Sequence, residues 1–261
     1  MSYRRRPVSS IIKYFLDSRL RTLKGTSGND VKWSCAKVSA YGWLYVIDLH
    51  THTLFSDGAL VPAESARRAY AAGYRTIALT DHADYSNIDF IIPRMVKVCD
   101  KISEKGNIFV IPGVELTHVD PSDIAALTAE ARKLGAKMVV VHGETLTEPV
   151  SAGTNLAAIC AGVDILAHPG LITLKEAKLA AKKGVFLEIT TRRGHSYTNG
   201  HVAAMAGKCG AQLVLNNDAH APGDFVGRPL AMNIARGAGL SEKEIVIMLK
   251  NSQKIAKRAL A

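Results

Sequence analysis

Short apolar runs alternate with amphipathic stretches along most of the chain, beginning near residue 45. The runs are rich in aliphatic and β-branched residues, as in strands buried on both faces. They predict seven strands, at 45–49, 76–80, 108–114, 137–142, 163–167, 185–190 and 212–216. Between them, helical spacing predicts helices from Pro62 to Gly73 and from Ser122 or Asp123 to Gly135, and at about 93–104, 153–161, 173–183, 199–208 and 241–250.

Seven strand–helix alternations predict an α/β fold with a parallel barrel rather than an open sheet. A body of this length can bury a sizeable core as one domain. In such barrels the loops after the C-terminal ends of the strands carry the chemistry.

Polar residues with metal-binding side chains end or follow the predicted strands. Six imidazoles and three carboxylates make up this set: His50, His52, Asp57, His82, Glu115, His142, His168, Asp218 and His220. Nine groups are too many for one ion, so they indicate a polynuclear metal site, which typically performs hydrolysis. A single histidine after a strand is more often a hydrogen-bonded core residue, and the argument depends on all nine meeting at one end.

Local spacing adds detail to this expectation. His50 and His52 stand two residues apart in an extended segment and should project to the same side. Gly58 should allow a tight turn beside the metals, and Pro169 should hold His168 in an extended conformation. Asp81 is expected to accept a hydrogen bond from a ligand ring.

The first 44 residues differ from the rest in charge. They hold nine Lys/Arg and two Asp/Glu, a net charge of +7, whereas the other 217 residues hold 24 and 21. We interpret 1–44 as a basic extension without stable structure and 45–261 as the catalytic domain. An arm that binds nucleic acid or a membrane surface, and a translation start placed too far upstream, remain open for this segment.

The ordered motifs resemble those of the PHP (polymerase and histidinol phosphatase) family over about residues 45–255. They are Ile47-Asp-Leu-His-Thr-His, Ser56-Asp-Gly, Thr80-Asp-His, Gly113-Val-Glu, Ala167-His-Pro and Asp218-Ala-His. The resemblance implies a distorted (β/α)7 barrel with three divalent ions at the C-terminal ends of the strands. A 45-residue lead before the first motif departs from the family pattern.

The resemblance also implies a distribution of ligands over three ions. His50, His52, Glu115 and Asp218 would hold the first, Glu115, His142 and His168 the second, and Asp57, His82 and His220 the third. Mixed imidazole and carboxylate ligands favour Zn²⁺, Mn²⁺ or Fe²⁺ over Mg²⁺ and Ca²⁺.

The cluster suggests a mechanism in which a metal-bridging hydroxide attacks phosphorus in line. Glu115, Asp218 and His220 are the predicted catalytic residues. Arg192, Arg193 and His195 follow the sixth strand and are the predicted contacts of the substrate phosphate. His118, His195 and His201 match no metal position of the family.

The favoured function is hydrolysis of a small phosphomonoester, similar to that of histidinol phosphatases. The alternatives are a nuclease or nucleotide phosphatase, and a non-catalytic metal-binding module. The near-neutral body and the aromatic content of 6% argue against nucleic acid. Four cysteines without regular spacing indicate reduced thiols in a cytoplasmic protein. No apolar run approaches 18 residues, so we expect no membrane partner.

Overall fold

Parallel strands form the centre of the computed structural model, which describes residues 47–105 and 107–261. In chain order the strands are β1 (Ile47–Asp48), β2 (Thr76–Leu79), β3 (His82–Ala83), β4 (Phe109–Leu116), β5 (Met138–His142), β6 (Ile165–Ala167), β7 (Phe186–Thr190) and β8 (Leu213–Asn216). The predicted extension 1–44 and the start of the first predicted strand lie outside the described residues.

The sheet curls into a nearly closed barrel. Its hydrogen-bonded order is β1-β2-β4-β5-β6-β7-β8, and β3 continues β2 after two residues and pairs with the end of β4. Thr51 forms a parallel bridge with Ala219, and the amide of His52 donates to the carbonyl of Ala219 at 2.8 Å. The ends of β1 and β8 therefore meet, and the predicted parallel barrel with seven strand positions is confirmed.

Helices surround the barrel. The described residues form α1 (Pro62–Ala71), α2 (Ile88–Ser103), α3 (Ile124–Lys133), α4 (Thr154–Ala161), α5 (Leu174–Lys183), α6 (Asn199–Cys209), α7 (Arg228–Gly237) and α8 (Glu242–Leu260). Capping boxes start α5 at Thr173 and α8 at Ser241, where each side chain accepts from a backbone amide three residues on. No described helix is both long enough and apolar enough to span a bilayer.

The helices differ from the prediction in three places. The second helix begins at Ile88 rather than near 93, because Ile88, Ile91 and Ile92 are buried and their packing outweighs the cost of Pro93 inside the helix. Helix α7 was not predicted. The last helix runs to Leu260 rather than 250 because its final turns also carry buried apolar residues.

Helix α8 closes the N-terminal end of the barrel. Ile255, Ala256 and Ala259 pack against residues inside the barrel such as Ile47 and Val214. Asn251 donates to the carbonyl of Leu213 at 2.8 Å, and Arg258 pairs with the carboxylate of Asp164. Since this end is covered, the opposite end is left for the loops that follow the strands.

Shortening Ile255 to alanine should destabilise the fold by about 2–4 kcal/mol, because it leaves a cavity under the barrel. Urea unfolding of Ile255→Ala and of Ile247→Ala would measure this. Ile247 lies on the same helix but is 50% exposed, so its loss should cost at most about 0.5 kcal/mol. Equal destabilisation of the two variants would contradict the closing role of α8.

Candidate metal centre

The C-terminal ends of the strands bring the nine predicted ligands together. His50 and His52 follow β1, His82 starts β3, His142 ends β5 and His168 follows β6. Glu115 lies inside β4 rather than after it, next to the last residue of that strand. The remaining members, Asp57, Asp218 and His220, come from the loops after β1 and β8.

Four of these side chains form the buried centre of the cluster. The His50 Nε2 atom lies 3.2 Å from Glu115 Oε2 and 3.6 Å from Asp218 Oδ1. The His52 Nε2 atom lies 3.1 Å from the same Asp218 oxygen and 3.5 Å from Glu115 Oε2. The expectation that His50 and His52 project to one side therefore agrees with the geometry.

Two further groups flank this centre. On one side, His142 and His168 have ring centroids 4.5 Å apart at an interplanar angle of 70°. On the other side, Asp57 Oδ1 lies 3.4 Å from His82 Nε2 and 3.1 Å from His220 Nε2. The candidate ligand atoms of His142, His168 and His195 lie within 4.8 Å of one another, and so do those of Asp57, His82, His220 and His52, a spacing that one ion can bridge.

The unpartnered atoms of the cluster fit a metal centre. Both carboxylate oxygens of Glu115, Nε2 of His50 and both ring nitrogens of His52 are buried without a hydrogen-bond partner of suitable geometry. Buried polar atoms are nearly always hydrogen-bonded, because an unmet one costs about 1–3 kcal/mol. Imidazole nitrogens and carboxylate oxygens aimed at a common point are the donors that divalent transition metals take.

Electrostatics supports the same interpretation. Burial opposes ionisation of Glu115 and Asp218, but the neighbouring histidines, His50 foremost, outweigh it and hold both pKa values well below their usual range. Burial lowers the pKa of His50, but Glu115, Glu188 and Asp218 outweigh it and raise that pKa, so a metal ion that binds here displaces a proton from His50. Burial, aided by His82, lowers the pKa of His52 to about 3. Ionised carboxylates and a neutral imidazole are the forms that bind a cation.

For His50 and His142, a hydrogen bond at the far side of the ring fixes which nitrogen faces the centre. The His50 Nδ1 atom lies 2.9 Å from Glu188 Oε1, and Asn216 Nδ2 donates to that same oxygen at 2.8 Å. The Nδ1 atom of His142 lies 3.2 Å from the carbonyl of Gly143. An acceptor at Nδ1 keeps the proton there and leaves the Nε2 lone pair for a metal.

Asp81 acts differently from the expectation. Its carboxylate accepts from the amide of Thr53 at 2.7 Å, from the Thr53 hydroxyl, and from Ser56 Oγ at 2.9 Å. The ring of its neighbour His82 instead places Nδ1 2.6 Å from Thr117 Oγ1. Asp81 therefore fixes the loop that carries Asp57 instead of orienting a ligand ring.

Gly58 sits where no side chain fits. A Cβ there would lie 2.6 Å from the carbonyl carbon of His52 and 2.7 Å from the amide nitrogen of Thr53. The tight turn expected from this glycine is thus present, and it places the Asp57 loop in close contact with the backbone of His52.

The backbone of His168 also departs from expectation. Its φ of 25° is not extended, and Asp218 is left-handed as well with φ 53°. The His168 amide donates to Glu188 Oε2 at 3.2 Å, and its carbonyl accepts from Gly170 at 2.8 Å, so these two bonds turn the chain around Pro169. Sparsely populated conformations in non-glycine residues often mark functional sites.

A cavity of about 210 Å³ opens above the cluster. Its walls are formed by Asp57, His82, Thr117, His118, His142, Glu148, Arg192, His195, Asp218 and His220. Of the predicted phosphate contacts, Arg192 and His195 therefore line the cavity. The exposed Arg193 does not, and His201 Nε2 donates to the carbonyl of Ile172 at 2.8 Å, away from the centre.

Two acidic residues of the site were not assigned a role from the sequence. Glu188 lies within the predicted strand 185–190, and nothing in the sequence marks it as a partner of His50. Glu148 lies in an irregular loop after β5, where no periodicity or motif distinguishes it from solvent-exposed acids. Only the folded geometry shows that its carboxylate enters the cavity.

Comparison with known proteins places this chain among phosphoesterases. A family model described as the PHP domain matches residues 48–192, more than half of the chain, and Asp218 and His220 lie beyond that match. An uncharacterised protein of Methanocaldococcus jannaschii is 47% identical over 200 residues, covering 76% of this chain and 92% of that protein. A probable phosphatase of Thermoanaerobacter sp. is 27% identical over 225 residues, covering 76% and 88%.

A solved structure shares the fold. The histidinol phosphate phosphatase of Lactococcus lactis, complexed with zinc, L-histidinol and phosphate, superposes with a TM-score of 0.55. The two sequences are 16% identical, and the alignment covers 75% of this chain and 94% of the other. At this identity the likeness shows the barrel fold alone.

Replacing Glu188 by glutamine should weaken zinc binding about 10- to 100-fold, because His50 loses the anionic acceptor that holds its ring. Zinc affinity measured by competition with a chromophoric chelator would test this. Glu130→Gln, an exposed change on α3, is the control. Unchanged zinc affinity in a folded Glu188→Gln protein would rule out this orienting role.

Proposed function

The chain belongs to the PHP domain family and is a metal-dependent phosphoesterase, and we propose that it hydrolyses a small phosphomonoester at a centre of three divalent ions. The observation that carries this proposal is the cluster of buried, unpartnered imidazole and carboxylate atoms at the floor of a small cavity. Zn²⁺, Mn²⁺ and Fe²⁺, singly or mixed, suit these donors.

The three neighbouring groups of side chains would each hold one ion. We assign His50, His52, Glu115 and Asp218 to the first ion, Glu115, His142 and His168 to the second, and Asp57, His82 and His220 to the third. The ions would supply an electrophilic anchor for the phosphate and an acidified water as the nucleophile.

Glu115, Asp218 and His220 are the catalytic residues of this proposal. Glu115 lies between the groups, with Oε2 2.9 Å from His82 Nδ1 and Oε1 3.8 Å from His168 Nε2. Asp218 Oδ1 lies 3.4 Å from His220 Nδ1, so these two link the first group to the third. Their positions let them fix the distances between reacting groups.

Arg192 is the proposed phosphate clamp. Its Nη1 lies 2.7 Å from His220 Nδ1. The same His220 Nδ1 atom lies 3.0 Å from the carbonyl oxygen of Asp218. An imidazole that binds a metal through Nε2 carries its proton on Nδ1 and donates it to such a carbonyl. It then accepts nothing from Arg192, whose guanidinium keeps its 3.0 Å hydrogen bond to the Asp218 carbonyl and offers its other N–H groups to a phosphate oxygen.

His195 is the second proposed phosphate contact. Its Nδ1 faces the hydroxyls of Thr145 at 2.8 Å and Thr147 at 3.1 Å, which can donate to it and leave the proton on Nε2. Its candidate ligand atom lies within 4.8 Å of those of His142 and His168, but its ring is stacked on His168 at an interplanar angle of 14°, an arrangement in which the in-plane lone pairs of the two rings run side by side. These features favour a hydrogen bond to substrate over metal ligation.

The size of the cavity favours a monoester. A volume of about 210 Å³ is below the roughly 300–1,000 Å³ of pockets that enclose drug-sized ligands. A phosphate with a short organic group suits this space better than a nucleic-acid strand does.

A panel of phosphate esters would test the proposal. Purified protein loaded with Mn²⁺, Zn²⁺ or Fe²⁺ should release phosphate from small monoesters such as p-nitrophenyl phosphate and histidinol phosphate. It should lose this activity with a chelator or in Glu115→Gln protein. Turnover of bis(p-nitrophenyl) phosphate alone would favour a nuclease, and no turnover by metal-loaded protein would contradict the proposal.

Removing the Arg192 side chain should lower kcat/KM for a monoester about 10- to 100-fold, because a charge-assisted hydrogen bond to phosphate is lost. Steady-state kinetics of Arg192→Ala and Arg193→Ala would measure this. The exposed Arg193 is the matched control and should change kcat/KM less than about twofold. The clamp is refuted if both variants behave alike.

A further inference from the structure

An acidic side chain stands in the wall of the cavity above the candidate metal centre. Glu148 Oε2 lies 3.1 Å from His142 Nε2 and 3.4 Å from His118 Nε2, and its Oε1 lies 3.3 Å from His195 Nε2. Among the described lining residues, Glu148 is the carboxylate that belongs to none of the ligand sets proposed above. Its surroundings therefore need a separate explanation.

The contact between Glu148 and His142 joins two atoms that both carry lone pairs. The Nδ1 atom of His142 lies 3.2 Å from the carbonyl of Gly143, an acceptor that keeps the ring proton on that side. A neutral His142 ring therefore presents a lone pair at Nε2, and the Glu148 carboxylate presents another 3.1 Å away. Two lone pairs at this distance repel each other unless a cation lies between them. Nε2 of His142 is also the atom proposed above to bind the second ion.

The distance between these two atoms suits two ligands of one ion. Nitrogen and oxygen ligands lie about 2.0–2.2 Å from zinc, so two donors at angles of about 90–109° are roughly 2.8–3.6 Å apart. The separation of 3.1 Å between His142 Nε2 and Glu148 Oε2 falls within this range. So does the separation of 3.2 Å between His50 Nε2 and Glu115 Oε2 in the buried centre of the cluster.

The second ion has a position for one more ligand. Glu115, His142 and His168 supply three protein donors, and zinc with three protein ligands keeps a fourth position for water or substrate. Glu148 is placed to fill this position while no phosphate is bound. A phosphate oxygen that binds the same ion would then have to displace the carboxylate.

The other oxygen of Glu148 faces a group that we assign to the phosphate. Thr145 and Thr147 can donate to Nδ1 of His195, which leaves the ring proton on Nε2. That N–H group faces Glu148 Oε1 at 3.3 Å. Glu148 and a bound phosphate therefore compete for the same two partners, the ion at His142 and the N–H group of His195.

The backbone of the loop is fixed, whereas the Glu148 side chain has space to turn away. The Glu144 carboxylate accepts from the backbone amides of Gly153 at 3.0 Å and Asn155 at 2.9 Å, so the loop is held on both sides of Glu148. The Glu148 side chain itself is 38% exposed, and the neighbouring His118 is 44% exposed. The carboxylate can therefore leave the ion and return to it without unfolding of the loop.

We propose that Glu148 is a fourth, displaceable ligand of the second ion and that the phosphate of a substrate replaces it. This inference rests on the proposed function, because it places that ion at His142 and His168. When the phosphate enters, a carboxylate oxygen leaves the ion, a phosphate oxygen takes its position, and the N–H group of His195 donates to the phosphate instead of to Glu148. Return of Glu148 favours release of the phosphate product.

Zinc and phosphate affinities of Glu148→Gln protein would test the inference without turnover. A neutral amide is a weaker zinc ligand than a carboxylate, so one zinc ion should be held at least about 10-fold less tightly in competition with a chelator. Inorganic phosphate no longer competes with a carboxylate, so calorimetry of zinc-saturated protein should show about 5- to 10-fold tighter phosphate binding. Glu130→Gln, the exposed change on α3, should alter neither affinity.

Tighter phosphate binding with unchanged zinc affinity in Glu148→Gln would overturn the inference, because it would reduce Glu148 to a source of charge repulsion. Unchanged phosphate affinity would overturn it as well, since a displaced ligand must compete with the phosphate.

Crystals of zinc-loaded protein, with and without phosphate, would show the exchange directly. Without phosphate, a Glu148 oxygen should lie about 2.0–2.2 Å from the ion beside His142, and with phosphate the side chain should have turned away. Three ions without a Glu148 contact would reject this inference and keep the proposed centre. No ion beside His142 would reject the proposed centre itself, so the two failures are distinguishable.

Discussion

The open end of this barrel buries carboxylates and imidazoles whose polar atoms lack hydrogen-bond partners within the protein, and this constraint governs the rest of the site. Glu115 and His52 are almost fully buried, yet neither has its polar atoms satisfied by hydrogen bonds. Each unmet atom costs free energy in the folded state, and the repulsion among like groups adds to that cost. A cation that binds only the folded arrangement offsets both terms, so metal affinity and fold stability are coupled here.

The two ends of the barrel have different roles: the end covered by α8 stabilises the fold, and the opposite end carries the candidate metal centre. Helix α8 covers the N-terminal ends of the strands with apolar side chains, and the opposite ends are free to carry polar loops. Strand register then sets the positions of the ligands: His82 pairs with Glu115 across β3 and β4, so their separation is fixed by backbone hydrogen bonds. Irregular loops carry further side chains of the cavity, including Arg192 and Glu148.

The sequence predicts the barrel well because alternating apolar runs and helical spacing are local signals that this fold leaves unchanged. It also predicts which strand ends carry metal-binding side chains. It fails where long-range contacts decide: Pro93 is accommodated inside α2, and His168 is turned by Glu188 rather than extended before proline. The position of Glu148 in the cavity has no local signature, because it is defined by contacts with three histidines from other parts of the chain.

The proposed centre requires three ions bound by the nine side chains at the end of the barrel. Crystals of the zinc-loaded protein, with diffraction data collected above and below the zinc absorption edge, would locate the ions directly. We predict three anomalous peaks, one within each of the groups that contain His50, His142 and His82. A single peak, or peaks bound by other residues, would contradict the trinuclear centre and the mechanism built on it.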